Sequence, residues 1–271
     1  MMKLCFLTHK YAHKIVVTIF ITLLSVSAQA ANHQLTNQQI QAIIDSPDRP
    51  SEDAQRDAAR RPQKVLGFSG VASGDTVLDL LGGSGWYTEL FSKAVGNEGK
   101  VYLQNDDVYW KFAEKEIEKR TADNRLQNVV RLDNVAIADI DVADNSVDIV
   151  IIALAYHDLF FTETARDGKI VKIRDDVVDH HKALANIKRI LKDEGSVIVI
   201  DHNALAGSGY NAANTLHRID ANIVKHQFTE AGFTLIEQAF YLQNPEDDLK
   251  VMVFDPSIRG KTDRFIYKFS K

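Results

Sequence analysis

The segment VLDLLGGSGWYTEL, residues 77–90, joins a short apolar strand ending near Asp79 to an amphipathic helix beginning near Trp86, through a glycine-rich turn. Gly82, Gly83 and Gly85 lack Cβ atoms, so this turn can take positive φ and bring backbone amides close to a ligand. The new helix aims unpaired N–H groups and the positive end of its dipole at the same place, which suits an anionic group. Asp79 sets a carboxylate beside them. A ligand carrying an ammonium and a carboxylate together would satisfy both. A plain turn would not need three glycines in four positions, because each adds an entropic cost on folding. Trp86 and Tyr87 are expected to pack the helix on its sheet.

Working outward, strands are expected at 76–81, 100–104, 128–132, 147–154 and 196–201, with helices at 86–95, 108–120 and 177–191 between them. Mostly apolar strands alternating with helices argue for a parallel sheet covered on both faces. A helix over 219–231, closed by Gly232, leads to a strand over 233–241. The last strand, 264–269, is reached through the polar stretch 243–262 without a helix, as an antiparallel partner would be. The fold class is therefore α/β, a doubly wound, seven-stranded, mostly parallel sheet with an antiparallel terminal strand. Ahead of it, a Thr36–Gln39 capping box opens a helix to Asp45, and Ser51 caps a second helix ending before Pro62. Residues 31–62 thus read as a helical cover and 63–271 as the main domain.

The beginning of the chain speaks of location. Lys3, Lys10 and Lys14 precede an apolar run over 15–26, and Ala28-Gln29-Ala30 has the small-x-small form a signal peptidase reads. Cleavage is expected after Ala30, giving a periplasmic or secreted protein. The run falls short of the ~20 residues that span a bilayer, so no stable membrane anchor is expected after cleavage. Of the 32 basic side chains in the sequence, 29 remain after residue 30 against 37 acidic ones, a net charge of −8. With no basic stripe, nucleic acid is excluded as a partner, and a small-molecule substrate is expected. The single cysteine, Cys5, leaves with the signal, so the mature chain relies on a hydrophobic core rather than disulfides.

A second constellation lies where the fourth and fifth strands end: Tyr156-His157-Asp158 and Asp201-His202-Asn203. In open α/β sheets ligands bind at this edge. General base chemistry would have His157 or His202 take a proton, with Asp158 or Asp201 orienting the ring. A divalent metal is the alternative, and plain hydrogen bonding within the loops is the third. Arg218 could grip an anionic substrate, while Asp220 could equally cap the next helix. His180 and His181, about 100° apart on a helix, are expected at the surface. The connection over 243–262 has the length of a lid.

The element order, the VLDLLGGSG turn and DNSVDIVIIALAYHDL, residues 144–159, resemble class I S-adenosylmethionine-dependent methyltransferases, from about Pro62 to the C-terminus. More narrowly, HDL, DHNA, LHRID, NPEDD and RGKTDRF look like landmarks of a family of predicted secreted methyltransferases. The resemblance implies S-adenosylmethionine as cofactor, held by Asp79, Gly82, Gly83, Ser84, Gly85 and Asn105, without a metal. It implies methyl transfer to a small molecule, for which the strand-end pairs His157, Asp158, Asp201 and His202 are the expected catalytic group. Two positions depart from the pattern. Leu81 stands at the first glycine, with Gly82 expected to restore the missing freedom, and Asn105 replaces the acid that holds the ribose hydroxyls. Catechol O-methyltransferase-like enzymes suggest Asp158, Asp201 and Asn203 as magnesium ligands, whereas His157 and His202 would favour zinc or a transition metal. Gly83-Ser84-Gly85 also fits part of a nicotinamide dinucleotide turn, but Thr88 stands where Gly or Ala is wanted. Because the methyl donor is made in the cytoplasm, two other readings stand beside the first: an exported binding module, and a His/Asp-based enzyme on the same fold.

Overall fold

The computed structural model describes residues 34–166 and 168–271; the expected signal segment and its cleavage point lie outside them. The cover begins with α1 (Asn37–Ile44), opened by the expected capping box: Gln39 N donates to Thr36 Oγ1 and Thr36 N to Gln39 Oε1. The next segment differs from expectation. Ser51 is not a cap; it is the first residue of α2 (Ser51–Ala54), which follows Pro50 and is succeeded by α3 (Asp57–Arg60). The stretch does end before Pro62, which itself starts α4 (Pro62–Ser69), because a first-turn position needs no N–H and welcomes the fixed φ of proline. The cover and the sheet that follows form one compact unit.

The sheet domain runs β1 (Thr76–Leu80), α5 (Trp86–Val95), β2 (Lys100–Asn105), α6 (Asp107–Thr121), β3 (Val129–Asp133), β4 (Val147–Ala153), and a hairpin of β5 (Glu163–Arg166) and β6 (Lys169–Lys172). It continues through α7 (His180–Ile190), β7 (Leu191–His202), α8 (Asn211–Leu216), α9 (Ala221–Glu230), β8 (Thr234–Ala239) and β9 (Arg264–Ser270). The seven-stranded sheet has the order β3-β2-β1-β4-β7-β9-β8. All neighbours are parallel except β9, which runs antiparallel to both β7 and β8. This is the fold class read from the sequence.

Period-two alternation explains why the sheet is buried on both sides. Leu78, Leu80, Val150, Ile152, Val197 and Val199 pack into one core with α7 and α9, while Val77, Ile149, Ile151, Ile198 and Ile200 pack into another with α4 and α5. Parallel pairing then brings the carboxyl ends of β1, β4 and β7 to one edge, with Leu80 opposite Ile152 and Ala153 opposite Ile200. Every residue of the two constellations departs from that edge. The β5–β6 hairpin and α8 were not anticipated. Among the described residues no helix is long and apolar enough to cross a membrane.

Candidate active site

The chain leaves β1 through an unusual residue. Leu81 itself adopts the left-handed conformation at φ +48°, so the freedom expected of Gly82 is not what Gly82 supplies. A left-handed leucine costs roughly 1–2 kcal/mol, offset by its burial and by the bond from Leu81 N to Gln104 Oε1 at 3.0 Å. Gly82 is needed for space instead: a Cβ there would stand 2.6 Å from Leu103 Cδ1 and 2.7 Å from Asp79 Oδ2. Gly83, at φ +56°, has no heavy atom within 4 Å of where its Cβ would point, so its face is open. Gly85, at φ +80°, caps α5.

Neighbouring elements hold this turn in place. Asn105, at the end of β2, accepts from Gly83 N at 2.9 Å through Oδ1 and donates to Gly83 O at 3.1 Å through Nδ2. Only an amide offers both functions; an aspartate would lose the donor. The departure at this position therefore has a structural purpose, and the buried side chain shapes the cradle from behind. Ser84 O accepts from Arg120 Nε at 2.6 Å. Arg120 also reaches Asp53 of the cover, at 2.7 Å, and pairs with Glu89, which Arg125 grips through both carboxylate oxygens.

Asp79 is 1% exposed and accepts from the Thr88 hydroxyl at 2.6 Å. Burial pushes its carboxyl up to about 6, against the opposing pull of Thr88 and the more distant charges of Arg60 and Arg120. It forms a wall of a cavity of about 140 Å³ together with Gly82, Gly83 and Ser84. Arg60, from the cover, lies on the same cavity with its guanidinium 4.8 Å from the Trp86 ring and 5.5 Å from that of Tyr87. A negative and a positive pole thus share one small space, which fits the amino-acid end of S-adenosylmethionine. Trp86 packs as expected, its Nε1 donating to Asp53 O at 3.0 Å, yet both Trp86 and Tyr87 also line the cradle. Nothing in the sequence around Arg60 distinguished it from the neighbouring arginines.

A second cavity of about 540 Å³ adjoins the first, sharing Arg60, Tyr109 and Leu154 with it. Phe112, Phe161, Met252 and Phe254 line its apolar part, and His157, Asp158, His202 and His217 form its polar end. Leu154 and His217 also hold left-handed backbone, at φ +60° and +52°. Met252 and Phe254 belong to the connection expected to act as a lid.

Asp201 organises the polar end. Its Oδ1 stands 2.8 Å from His157 Nδ1 and accepts from His202 N at 2.7 Å, while Oδ2 accepts from His157 N at 2.8 Å. Asp158 accepts from the Tyr109 hydroxyl at 2.5 Å, and its Oδ1 lies 3.4 Å from His157 Nε2 and 3.5 Å from His217 Nδ1. Burial works against a charge on His157, but Asp158 and Asp201 outweigh it and push the imidazole up to about 9. Burial likewise opposes ionisation of Asp158, yet the His157 charge, the proximity of His217 and the bond from the Tyr109 hydroxyl hold its carboxyl below the usual range. His202, with Nδ1 2.7 Å from Thr262 Oγ1, is driven well below the ordinary histidine range by burial and then by the charge of His157.

Other expectations are redistributed by the structure. The oxygen set Asp158, Asp201 and Asn203 is not assembled: Asp201 is consumed by the histidines, and Asn203 Nδ2 donates to Asp263 Oδ2 at 2.6 Å. Arg218 grips no substrate, being wholly buried in a two-bond pair with Asp247 at 2.9 and 3.0 Å that pins the lid connection to the loop between α8 and α9. Asp220 caps α9. His181 is exposed, while His180 is half-buried with its ring against Phe160.

With this geometry in hand, comparisons place the chain among known proteins. Residues 78–199 match the family model described as a methyltransferase domain. The ubiquinone/menaquinone biosynthesis C-methyltransferase UbiE of Pseudoalteromonas translucida is 25% identical over 214 residues, covering 74% of this chain and 72% of that protein. The UbiE of Klebsiella pneumoniae subsp. pneumoniae is 31% identical over 144 residues, 51% of this chain but only 46% of the relative. The crystal structure of a SAM-dependent methyltransferase from Aquifex aeolicus shares the fold, with a TM-score of 0.52 at 21% identity over 87% of this chain and 98% of that one. A nicotinamide site has no counterpart in these likenesses. The antiparallel β9, the glycine cradle with its buried acid, and the matched methyltransferase domain together support the class I S-adenosylmethionine-dependent methyltransferase superfamily for this chain, with S-adenosylmethionine as its cofactor.

Proposed function

We propose that the chain methylates a small acceptor with an apolar, ring-sized body and an ionisable oxygen, of the phenol or quinol class. One observation carries this reading: the cavity beside the donor cradle is lined largely by apolar side chains, with His157, Asp158, His202 and His217 gathered into one polar group. A flat ring suits the walls of Phe112, Phe161 and Phe254, and its oxygen would meet the histidines. The relatives named as quinone-biosynthesis C-methyltransferases support the same class.

The cradle residues Asp79, Gly82, Gly83 and Ser84, with Arg60, would hold S-adenosylmethionine. When bound, this group supplies a methyl bonded to a sulfonium, ready for attack by an electron-rich atom. The chain's own residues prepare that atom. His202 Nδ1 stands 2.7 Å from Thr262 Oγ1; in the tautomer that donates there, Nε2 bears a lone pair that would accept a hydrogen bond from the acceptor's O–H and receive its proton as the methyl is transferred. The charge left on the acceptor spreads into the ring and faces His157, which the Asp158 and Asp201 carboxylates keep electropositive. Tyr109 and Leu154, common to both cavities, align the acceptor with the donor.

Full-length chain incubated with methyl-labelled donor and a panel of hydroquinones, phenols, aliphatic amines and peptides provides the test. Transfer to hydroquinones or phenols, lost in His202→Ala with donor binding retained, is the expected result. Transfer to amines or peptides with none to phenolic compounds would overturn it.

A further inference from the structure

Within the polar end of the large cavity, three side chains stand in an arrangement that hydrogen bonding alone does not require. His157 Nε2 and His217 Nδ1 approach the same oxygen of Asp158, at 3.4 and 3.5 Å, and the three ligand atoms all lie within 4.8 Å of one another. These distances are long for hydrogen bonds. They suit a shared cation, since ligand atoms bonded at about 2.1 Å to a tetrahedral ion stand about 3.4 Å apart.

The surroundings complete the pattern. Metal-bound histidines commonly give their second ring nitrogen to a carboxylate, and His157 Nδ1 does so to Asp201 Oδ1 at 2.8 Å. The other oxygen of Asp158 is fixed by the Tyr109 hydroxyl. Charge points the same way. Asp158 and Asp201 bring two carboxylates into the cluster, and no lysine or arginine pairs with either among the described residues. The left-handed backbone of His217, at φ +52°, turns the chain at the end of α8.

We infer that His157, Asp158 and His217 form a binding site for one divalent transition-metal ion of the zinc class, with its remaining position open to the acceptor cavity. Two imidazoles and one carboxylate select zinc or a neighbouring first-row ion over magnesium or calcium, which prefer all-oxygen shells. The ion's two positive charges would balance the Asp158 and Asp201 carboxylates at that end of the cavity. The site goes beyond the proposed acceptor and is measured without donor or acceptor, so either can fail alone.

The test uses full-length chain without a histidine tag, stripped with chelator and titrated with Zn²⁺ by calorimetry, and with Co²⁺ by visible absorption. One equivalent of zinc per chain is expected, with cobalt bands of low-coordinate nitrogen and oxygen ligation. His217→Ala and Asp158→Asn should each weaken zinc binding by about 100-fold or more, and Asp201→Asn by about 10- to 100-fold through the orienting bond. His181→Ala, an exposed histidine outside the cluster, should bind as the parent does. Far-ultraviolet circular dichroism of each stripped variant establishes that it is folded, and Asp158→Asn preserves shape should His217→Ala fail. Absence of stoichiometric zinc, or zinc binding unchanged in the folded Asp158→Asn protein, would overturn the assignment.

Discussion

Asp79 carries its charge under a burial penalty, and this makes its replacement by asparagine informative. Burial raises its carboxyl from 3.8 to about 6, with the Thr88 hydroxyl and the charges of Arg60 and Arg120 pulling the other way. A folded value above the unfolded one means that the native state binds the proton more tightly between those two pH values. Stability is therefore lost as pH rises from about 4 to about 6, and the loss is complete above that. A shift of about 2 units corresponds to about 3 kcal/mol of cost carried by the ionised form at neutral pH. Asp79→Asn carries no such cost, while the Thr88 hydroxyl can still donate to its Oδ1. Its new amide N–H groups need partners, and one left unmet costs about 1–3 kcal/mol at every pH. The constant part cancels when the difference between variant and parent is followed across pH. That difference should move by about 3 kcal/mol in favour of the variant between about pH 4 and pH 7, and then level off. Urea unfolding of the two proteins in parallel measures it, because all other carboxylates titrate alike in both. Calorimetry should show donor binding lost in the variant, since an amide cannot balance an ammonium. A stability difference that does not change with pH would refute the reasoning, as would undiminished donor affinity.

Asn105→Asp removes the donor to Gly83 O and sets a charge behind the turn; donor affinity should fall about 10-fold, a loss of one charge-free hydrogen bond with its orphaned carbonyl, read by calorimetry. An unchanged dissociation constant would show that the clamp does not shape the cradle. Arg120→Ala leaves Asp53 and Glu89 short of their buried partner, and unfolding experiments should find about 3–5 kcal/mol of destabilisation. A loss below about 1 kcal/mol would mean that water or Arg125 takes over. Export is tested by fractionating cells that carry a C-terminally tagged copy: a mature species beginning at Ala31 is expected outside the cytoplasm, and full-length protein confined to the cytoplasm would refute the signal segment.

Much of the site could be read in advance, for a reason visible in particular residues. His157 and Asp201 are 44 positions apart, yet one follows β4 and the other lies at the end of β7, and parallel pairing carries such ends to one edge. Period-two burial of Val150, Ile152, Val197 and Val199 made those strands recognisable. Arg60 escaped notice because it arrives from the cover, whose docking has no periodic signature. Arg218 misled for the opposite reason. An arginine beside a site looks like a substrate grip until its partner, Asp247, is seen to come from 29 residues further along.

The sequence by itself determined the layered α/β architecture, the cradle after the first strand and the edge where chemistry gathers. These depend on local patterns: alternation of apolar residues, glycines at a turn, and strand ends that a parallel sheet must align. Tertiary structure alone decided that Leu81 bears the positive φ, that Asn105 closes on the turn, and that His157, Asp158 and His217 converge on one point. Such facts depend on which side chains meet across distant segments, and hydrogen-bond partners within ångströms of each other leave no periodic trace along the chain.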